Sequence, residues 1–310
     1  MSEIKRTAVI DLGSHSALLL IAEVERGGTL KILKEDFKVT RLGLGLGSEG
    51  RLLPQQQETA LARLREFKHT IAGFGEVPVT VLATEALRRA LNADAFLQSV
   101  QRELGWKVRV LTPQEEARYS YLGAISVYED FKAKLFTVID VGGGSTEIVR
   151  GRGEKIEMSR SFPVGAVGLA EQLHFRERIV SGDIPAIQEF LDARFNESEL
   201  KKFTDEAILV GVGGTITTAA AIHERMTKYD PERINRTSLT LDELLLLFED
   251  LNAKSPEERR AVVGLEAGRE DVIIYGLIIY IHLLQRSGVW RIKVSARGLR
   301  HGFLLAEISR

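Results

Sequence analysis

The chain contains no cysteine, which excludes disulfides, thiolate metal sites and thiol nucleophiles. That fits a reducing cytoplasm, the expected location. Neither sign of charge is in excess: 42 Lys and Arg stand against 43 Asp and Glu, a formal net charge of −1. A general nucleic-acid binder is ordinarily strongly basic, so no nucleic-acid partner is expected and any phosphate site must be local. Long apolar runs are also missing. The longest, Val272 to Leu284, falls short of the roughly 20 residues that span a bilayer, so no membrane association is expected and the run is read as a buried core helix. The opening residues, Met1 to Thr7, lack the apolar core of a signal peptide. The six histidines, at 15, 69, 174, 223, 282 and 301, show no metal-ligand spacing. His15 and His301 have positions that could face a ligand; the others are read as surface or core. No serine sits in a G-x-S-x-G elbow, so a Ser-His-Asp hydrolase is not supported.

What is present centres on Thr137 to Val149, an apolar β-branched run that ends in Asp140 and passes into Gly142, Gly143, Gly144, Ser145, Thr146 and Glu147. Glycines without a Cβ let backbone N–H groups approach a bound anion closely. Ser145 and Thr146 add hydroxyl donors, and Asp140 with Glu147 suits a hard cation such as Mg²⁺. The plain alternative is a tight hairpin turn. Val9-Ile-Asp-Leu-Gly13 repeats the pattern of Val138-Ile-Asp-Val-Gly142, which a duplicated α/β domain would produce. Asp11, Gly13, Ser14 and Ser16 then form a first turn. A third strand-to-glycine turn follows Ala207 to Val210, with Gly213, Gly214 and Thr215.

Strand and helix patterns alternate along the chain. Strands are expected at Thr29 to Val39, Val79 to Ala83, Val108 to Leu111, Lys155 to Phe162 and Arg291 to Val294. Helices are expected at Gln55 to Phe74, where Leu61, Leu64, Phe67 and Ile71 share a stripe, and at Ile184 to Phe195 and Leu241 to Leu251. Asn92 is read as a helix cap, and Thr112-Pro-Gln-Glu115 as a helix start with a capping box. This alternation predicts an α/β chain of two domains with mixed or parallel sheets, divided softly near residues 118–130, with a ligand cleft between them. Gly45-Leu-Gly47-Ser-Glu-Gly50 fits the dinucleotide fingerprint, but Pro54 interrupts the helix that should open there, so it is read as a loop.

Arg88 or Arg89, on the short helix after Thr84, could supply a guanidinium to the phosphate. Glu115 fits a cap, leaving Glu116 to face a ligand.

Asp11-x-Gly-Ser-x-Ser16, Ala83-Thr-Glu-Ala-Leu-Arg88, Glu115-Glu-Ala-Arg118, Asp140-x-Gly-Gly-Gly-Ser-Thr-Glu147 and Gly213-Gly-Thr215 occur in this order. With Arg41-Leu-Gly-x-Gly-Leu46 and Ser295-x-x-Gly-Leu-Arg300, they resemble the exopolyphosphatase / guanosine pentaphosphate phosphohydrolase (Ppx/GppA) family over almost the whole chain. That family lies within the actin-like, sugar-kinase and heat-shock ATPase superfamily. The resemblance implies two actin-like (ribonuclease H-like) domains, at 1–120 and 121–298, with a terminal helix at 299–310 packing back on the first. It also implies the short form of the family, without further C-terminal helical domains. Glu116 takes the position of the catalytic glutamate and Arg88 that of the phosphate-contacting arginine. Asp140, Glu147 and Asp11 take the metal positions. The phosphate turns fall on Gly13, Ser14 and Ser16 and on Gly142 to Thr146, with Gly213, Gly214 and Thr215 as the third. The implied reaction is Mg²⁺-assisted release of orthophosphate from polyphosphate or guanosine 5′-triphosphate 3′-diphosphate. An ATP-dependent kinase of the same superfamily and a non-catalytic phosphate-sensing module are the alternatives. Relatives are often dimers, so homodimerisation is an expectation. Departures from the family pattern are His15 (often Asn or Tyr), Leu18 (commonly Arg) and His301 (commonly acidic).

Overall fold

The computed structural model describes residues 5–24, 30–46 and 50–308. Thr29 of the expected strand, and Gly47, Ser48 and Glu49 of the G-x-G-x-x-G stretch, lie outside the described residues. Within them the chain forms two compact units: one runs to Tyr119 and includes the helix Leu299–Ile308, and the other is Ser120–Gly298.

The first unit is built on β1 (Lys5–Leu12), β2 (Ser16–Val24), β3 (Leu30–Val39), β4 (Val79–Ala83) and β5 (Val108–Val110), in the order β3-β2-β1-β4-β5. β1, β2 and β3 pair antiparallel through hairpins, while β4 and β5 join parallel. The central strand β1 is covered on both faces, and its period of two divides its side chains between two cores. Ala8, Ile10 and Leu12 pack with Leu64, Phe67, Phe96 and Val100 from the helices Pro54–Ala72 and Ala93–Leu104. Val9 packs on the opposite face with Leu20, Leu82, Tyr119, Leu299 and Phe303. Tyr119 and Phe303 meet edge to face with ring centroids 5.4 Å apart. Arg300 donates to the Leu19 carbonyl and to Glu35, and the His301 ring is 1% exposed beside Glu35. Burial in this unit's core is what occupies His301, contrary to a ligand-facing position. Asn92 likewise does not cap with its side chain. Its amide exchanges two hydrogen bonds with the backbone of Leu52, at 2.8 and 3.0 Å, and so pins the preceding loop.

The second unit carries β6 (Leu135–Val141), β7 (Thr146–Arg152), β8 (Lys155–Phe162), β9 (Ile208–Val212), β10 (Ser238–Thr240) and β11 (Arg291–Val294), in the order β10-β11-β9-β6-β7-β8. With the short antiparallel edge β10 set aside, β8-β7-β6-β9-β11 repeats the strand order and directions of the first sheet. The chain is thus α/β with two mixed sheets of one shared strand order. The Val9–Gly13 and Val138–Gly142 matches hold the same place in each, the end of the central strand. The helix Ile273–Ser287 is buried along every residue from Ile273 to Leu284, because it lies under the sheet as core. Among the described residues no helix is long and apolar enough to cross a membrane.

One core histidine gives this unit an acid-sensitive element. His282 is 4% exposed against Phe195, with Nε2 3.4 Å from Asp192. Burial lowers its pKa to about 4, Asp192 opposing and Arg286 reinforcing the change. A depressed folded-state pKa means the unfolded chain binds the proton more readily. The contribution of His282 is therefore complete above pH 6.5 and lost as pH falls toward about 4. A tenfold difference in proton affinity between the folded and unfolded chain corresponds to about 1.4 kcal/mol. His282→Leu is expected to flatten this acid limb, read by urea denaturation across that range.

Candidate active site

In the first unit, Asp11 lies one residue before the end of β1 and the chain reverses through Gly13 to Ser16, closed by Gly13 N–H donating to the Ser16 carbonyl at 2.9 Å. The segment after β3 supports the turn from behind. Thr40 and Arg41 N–H donate to the His15 carbonyl at 3.0 and 2.8 Å, and Gly43 N–H to that of Ser14 at 2.8 Å. Ser14 is buried, and its Oγ donates to Glu85 Oε2 at 3.1 Å. Arg89 pairs with the other Glu85 oxygen at 2.5 Å. Glu85, itself 6% exposed, opens the helix Glu85–Arg89 that follows β4.

The two neighbouring arginines therefore have different partners. Arg88 Nη1 donates to Glu116 Oε2 at 2.9 Å and to the Leu111 carbonyl at 2.8 Å. Glu116 is buried in the first turn of the helix Pro113–Ile125. Its neighbour Glu115 closes a capping box with Thr112 and pairs with Arg109. The Thr112 N–H first, then Arg109, hold the Glu115 carboxyl below its usual pKa.

The second unit repeats the turn. Asp140 lies one residue before the end of β6, and Gly142 N–H donates to the Ser145 carbonyl at 2.9 Å, as Gly13 does to Ser16. Support again comes from behind. Ala166 N–H donates to the Gly142 carbonyl at 2.9 Å and Val167 N–H to that of Gly143 at 2.8 Å. None of the turn's backbone hydrogen bonds among the described residues uses the N–H of Gly143, Gly144 or Ser145. Carbonyls tied to the protein beside backbone donors that these bonds do not use suit an anion nest. Thr146 differs: its buried hydroxyl donates to the Val164 carbonyl at 2.6 Å and holds the hairpin.

The third turn follows β9. Gly213 has φ +85°, and a Cβ there would lie 2.5 Å from Asp140 Oδ1, so both the backbone and the carboxylate require glycine. Gly214 and Thr215 open the helix Gly214–His223. The Arg269 guanidinium packs against the Gly214 backbone, where a Cβ would come within 2.0 Å of it. Beneath, the Tyr280 hydroxyl lies 3.0 Å from the Ile139 carbonyl and 2.8 Å from that of Val212, the residues that precede Asp140 and Gly213.

Asp140 and Glu147 are directly opposed in the β6–β7 register, which in an antiparallel pair puts both side chains on one face, about 5 Å apart at Cβ. Glu147 is buried and accepts from Ser161 Oγ at 2.6 Å. Burial pushes the Asp140 pKa up, and the hydrogen bond from Ser120 works against that rise. Two enclosed carboxylates side by side repel and attract a cation. The described residues hold no cluster of three or more metal-ligating side chains. Mg²⁺ is commonly held through one or two carboxylates together with substrate phosphates, so this pair fits it. Asp11 faces Leu18 across its hairpin, so the first unit does not repeat the carboxylate pair.

Of the residues singled out by sequence, the fold joins Arg88 with Glu116, Ser14 with the first turn, and Asp140 with Glu147 and Gly213. Ser120, Arg269 and Tyr280 stand in no residue pattern singled out in the sequence, because each meets the turns of the second unit through tertiary contacts alone.

The sequence profile of the Ppx/GppA phosphatase family matches residues 20–310. The chain is 32% identical over 320 residues to "Exopolyphosphatase 2" of Mycobacterium tuberculosis, covering 97% of this chain and 98% of that protein. It is 31% identical over 314 residues to the "Bifunctional 3-dehydroquinate synthase/phosphatase" of Fusobacterium nucleatum, covering 97% of this chain and 46% of that protein, so it spans about half that relative's length. Among solved structures, the Aquifex aeolicus Ppx/GppA family member superposes with a TM-score of 0.79 at 36% identity, covering 99% of this chain and 98% of that one.

Proposed function

Since the chain belongs to the Ppx/GppA phosphatase family, we propose that it hydrolyses a terminal phosphoanhydride and releases orthophosphate. The substrate is inorganic polyphosphate or guanosine 5′-triphosphate 3′-diphosphate. The observation that carries the reading is the Arg88–Glu116 pair, which brings a guanidinium and a carboxylate from separate helices to 2.9 Å.

Phosphoryl transfer passes through a loose transition state, so positioning and charge neutralisation supply most of the acceleration. Glycine-turn N–H groups hold the phosphoryl oxygens. Arg88 exchanges its contact with Glu116 for a phosphate oxygen, and Glu116 then orients water and accepts its proton. The water oxygen bonds to the terminal phosphorus as the bridging P–O bond breaks, leaving a chain one phosphate shorter. Asp140 and Glu147 orient the phosphate and its counter-ion. Mg²⁺, when bound, offsets charge developing on the bridging oxygen. Against a kinase stands Arg269, whose guanidinium occupies the space over Gly214 in the third turn.

Phosphate release from long-chain polyphosphate and from the guanosine nucleotide, each with and without Mg²⁺, tests this. Release from at least one, abolished by chelation, is the expected result. Cleavage of neither removes the hydrolase assignment.

A further inference from the structure

Ser120 is 1% exposed inside the helix Pro113–Ile125, one turn after Glu116, and its Oγ donates to Asp140 Oδ2 at 2.5 Å. Serine is a poorer helix former than alanine, by about 0.5 kcal/mol. In a helix its hydroxyl ordinarily points to solvent or returns to the carbonyl one turn earlier. Here it goes instead to a carboxylate 20 residues along the chain.

That carboxylate is constrained on its other side as well, since Oδ1 lies against Gly213 so closely that a Cβ would sit 2.5 Å away. Across the hairpin, Glu147 is anchored in the same manner by the Ser161 hydroxyl at 2.6 Å. Each member of the opposed carboxylate pair thus has one oxygen fixed by a serine. Fixing Oδ2 sets the plane of the Asp140 carboxylate and keeps Oδ1 at the Gly213 turn.

We infer that Ser120 is a positioning residue that sets the divalent-cation affinity of the Asp140–Glu147 pair by orienting the Asp140 carboxylate. The inference rests on the reading of Asp140 as a cation-holding group. Partners that orient metal-binding carboxylates typically change metal affinity about 10- to 100-fold when removed. A merely structural serine would alter stability and leave cation affinity unchanged.

The test is Mn²⁺ binding to the metal-free full chain, followed by electron paramagnetic resonance, with thermal unfolding measured in parallel. Ser120→Ala is expected to weaken Mn²⁺ binding by about tenfold or more. Ser120→Thr, which keeps the donor, should recover most of the affinity, and Asp140→Asn should bind more weakly still. If Ser120→Ala binds Mn²⁺ as wild type does while Asp140→Asn does not, the role of Ser120 is overturned and that of Asp140 stands. Equal weakening by the Ala and Thr variants also overturns it, since the hydroxyl is then not the agent. Unchanged binding by Asp140→Asn, or none by wild type, removes the cation reading and this inference with it.

Discussion

Replacing Glu116 by Gln is expected to lower kcat for phosphate release by about 10²- to 10⁴-fold, the usual contribution of a positioned general base. KM should change little, because in the proposed mechanism the turns and Arg88 hold the substrate's phosphates. The substitution conserves volume and leaves a carbonyl oxygen to accept from Arg88 Nη1, now 2.9 Å from the carboxylate, so the local packing survives. What it removes is the basicity that the proposed mechanism uses to take the water proton. Equal losses in kcat and kcat/KM identify an interaction made only in the transition state. Steady-state phosphate release from long-chain polyphosphate measures both. Near-normal kcat would take the base role away from Glu116, and a change confined to KM would make it a binding residue.

The second large effect is expected from Gly165→Ala. Gly165 is extended, with φ −143° and ψ −177°, so alanine meets no backbone objection there. The obstacle is steric. A Cβ would lie 2.5 Å from the Gly142 oxygen and 2.6 Å from the Gly143 carbonyl carbon and oxygen. These are backbone atoms of the second glycine turn, so no side chain can swing aside. Either the turn deforms or the helix Ala166–Gln172 moves off, and its hydrogen bonds to Gly142 and Gly143 lengthen in both cases. Overpacking of this kind typically costs about 1–3 kcal/mol. A displacement of the turn by about an ångström would cost about a hundredfold in turnover. Thermal unfolding and phosphate release measure the two. Gly168→Ala, where a Cβ meets nothing within 4 Å, is the control and should be near neutral. Wild-type behaviour of the Gly165 variant would show that the turn is too plastic to be a preorganised cradle.

Much of the architecture was legible because its signals are local. The stripe Leu61, Leu64, Phe67 and Ile71 is buried on the helix Pro54–Ala72, as a 3.6-residue period requires. Thr112 and Glu115 cap their helix because both partners lie three residues apart. The run at Val272 to Leu284 is core helix because no polar face interrupts it. Asn92 looked equally local, yet its amide meets Leu52, forty residues back, where a paired backbone offered two hydrogen bonds in place of one. His301 held a position that could face a ligand, but packing of the terminal helix on β1 and β2 turned it inward. A short sequence window holds no information about such partners.

By itself, the sequence determined that the chain is α/β, that a strand–Asp–x–Gly turn occurs twice and a third glycine turn follows, and that Glu115 rather than Glu116 closes the cap of its helix. Each of these follows from periodicity, from glycine's missing Cβ or from spacing within one helical turn. Only the tertiary structure decided that Arg88 meets Glu116, that Arg89 is taken by Glu85, that Asp140 opposes Glu147, and that Ser120 and Gly213 hold the Asp140 carboxylate from two sides. Those pairings depend on strand register and on where separate helices enter the fold. Both are fixed by burial of the two cores, which no single stretch of the chain encodes.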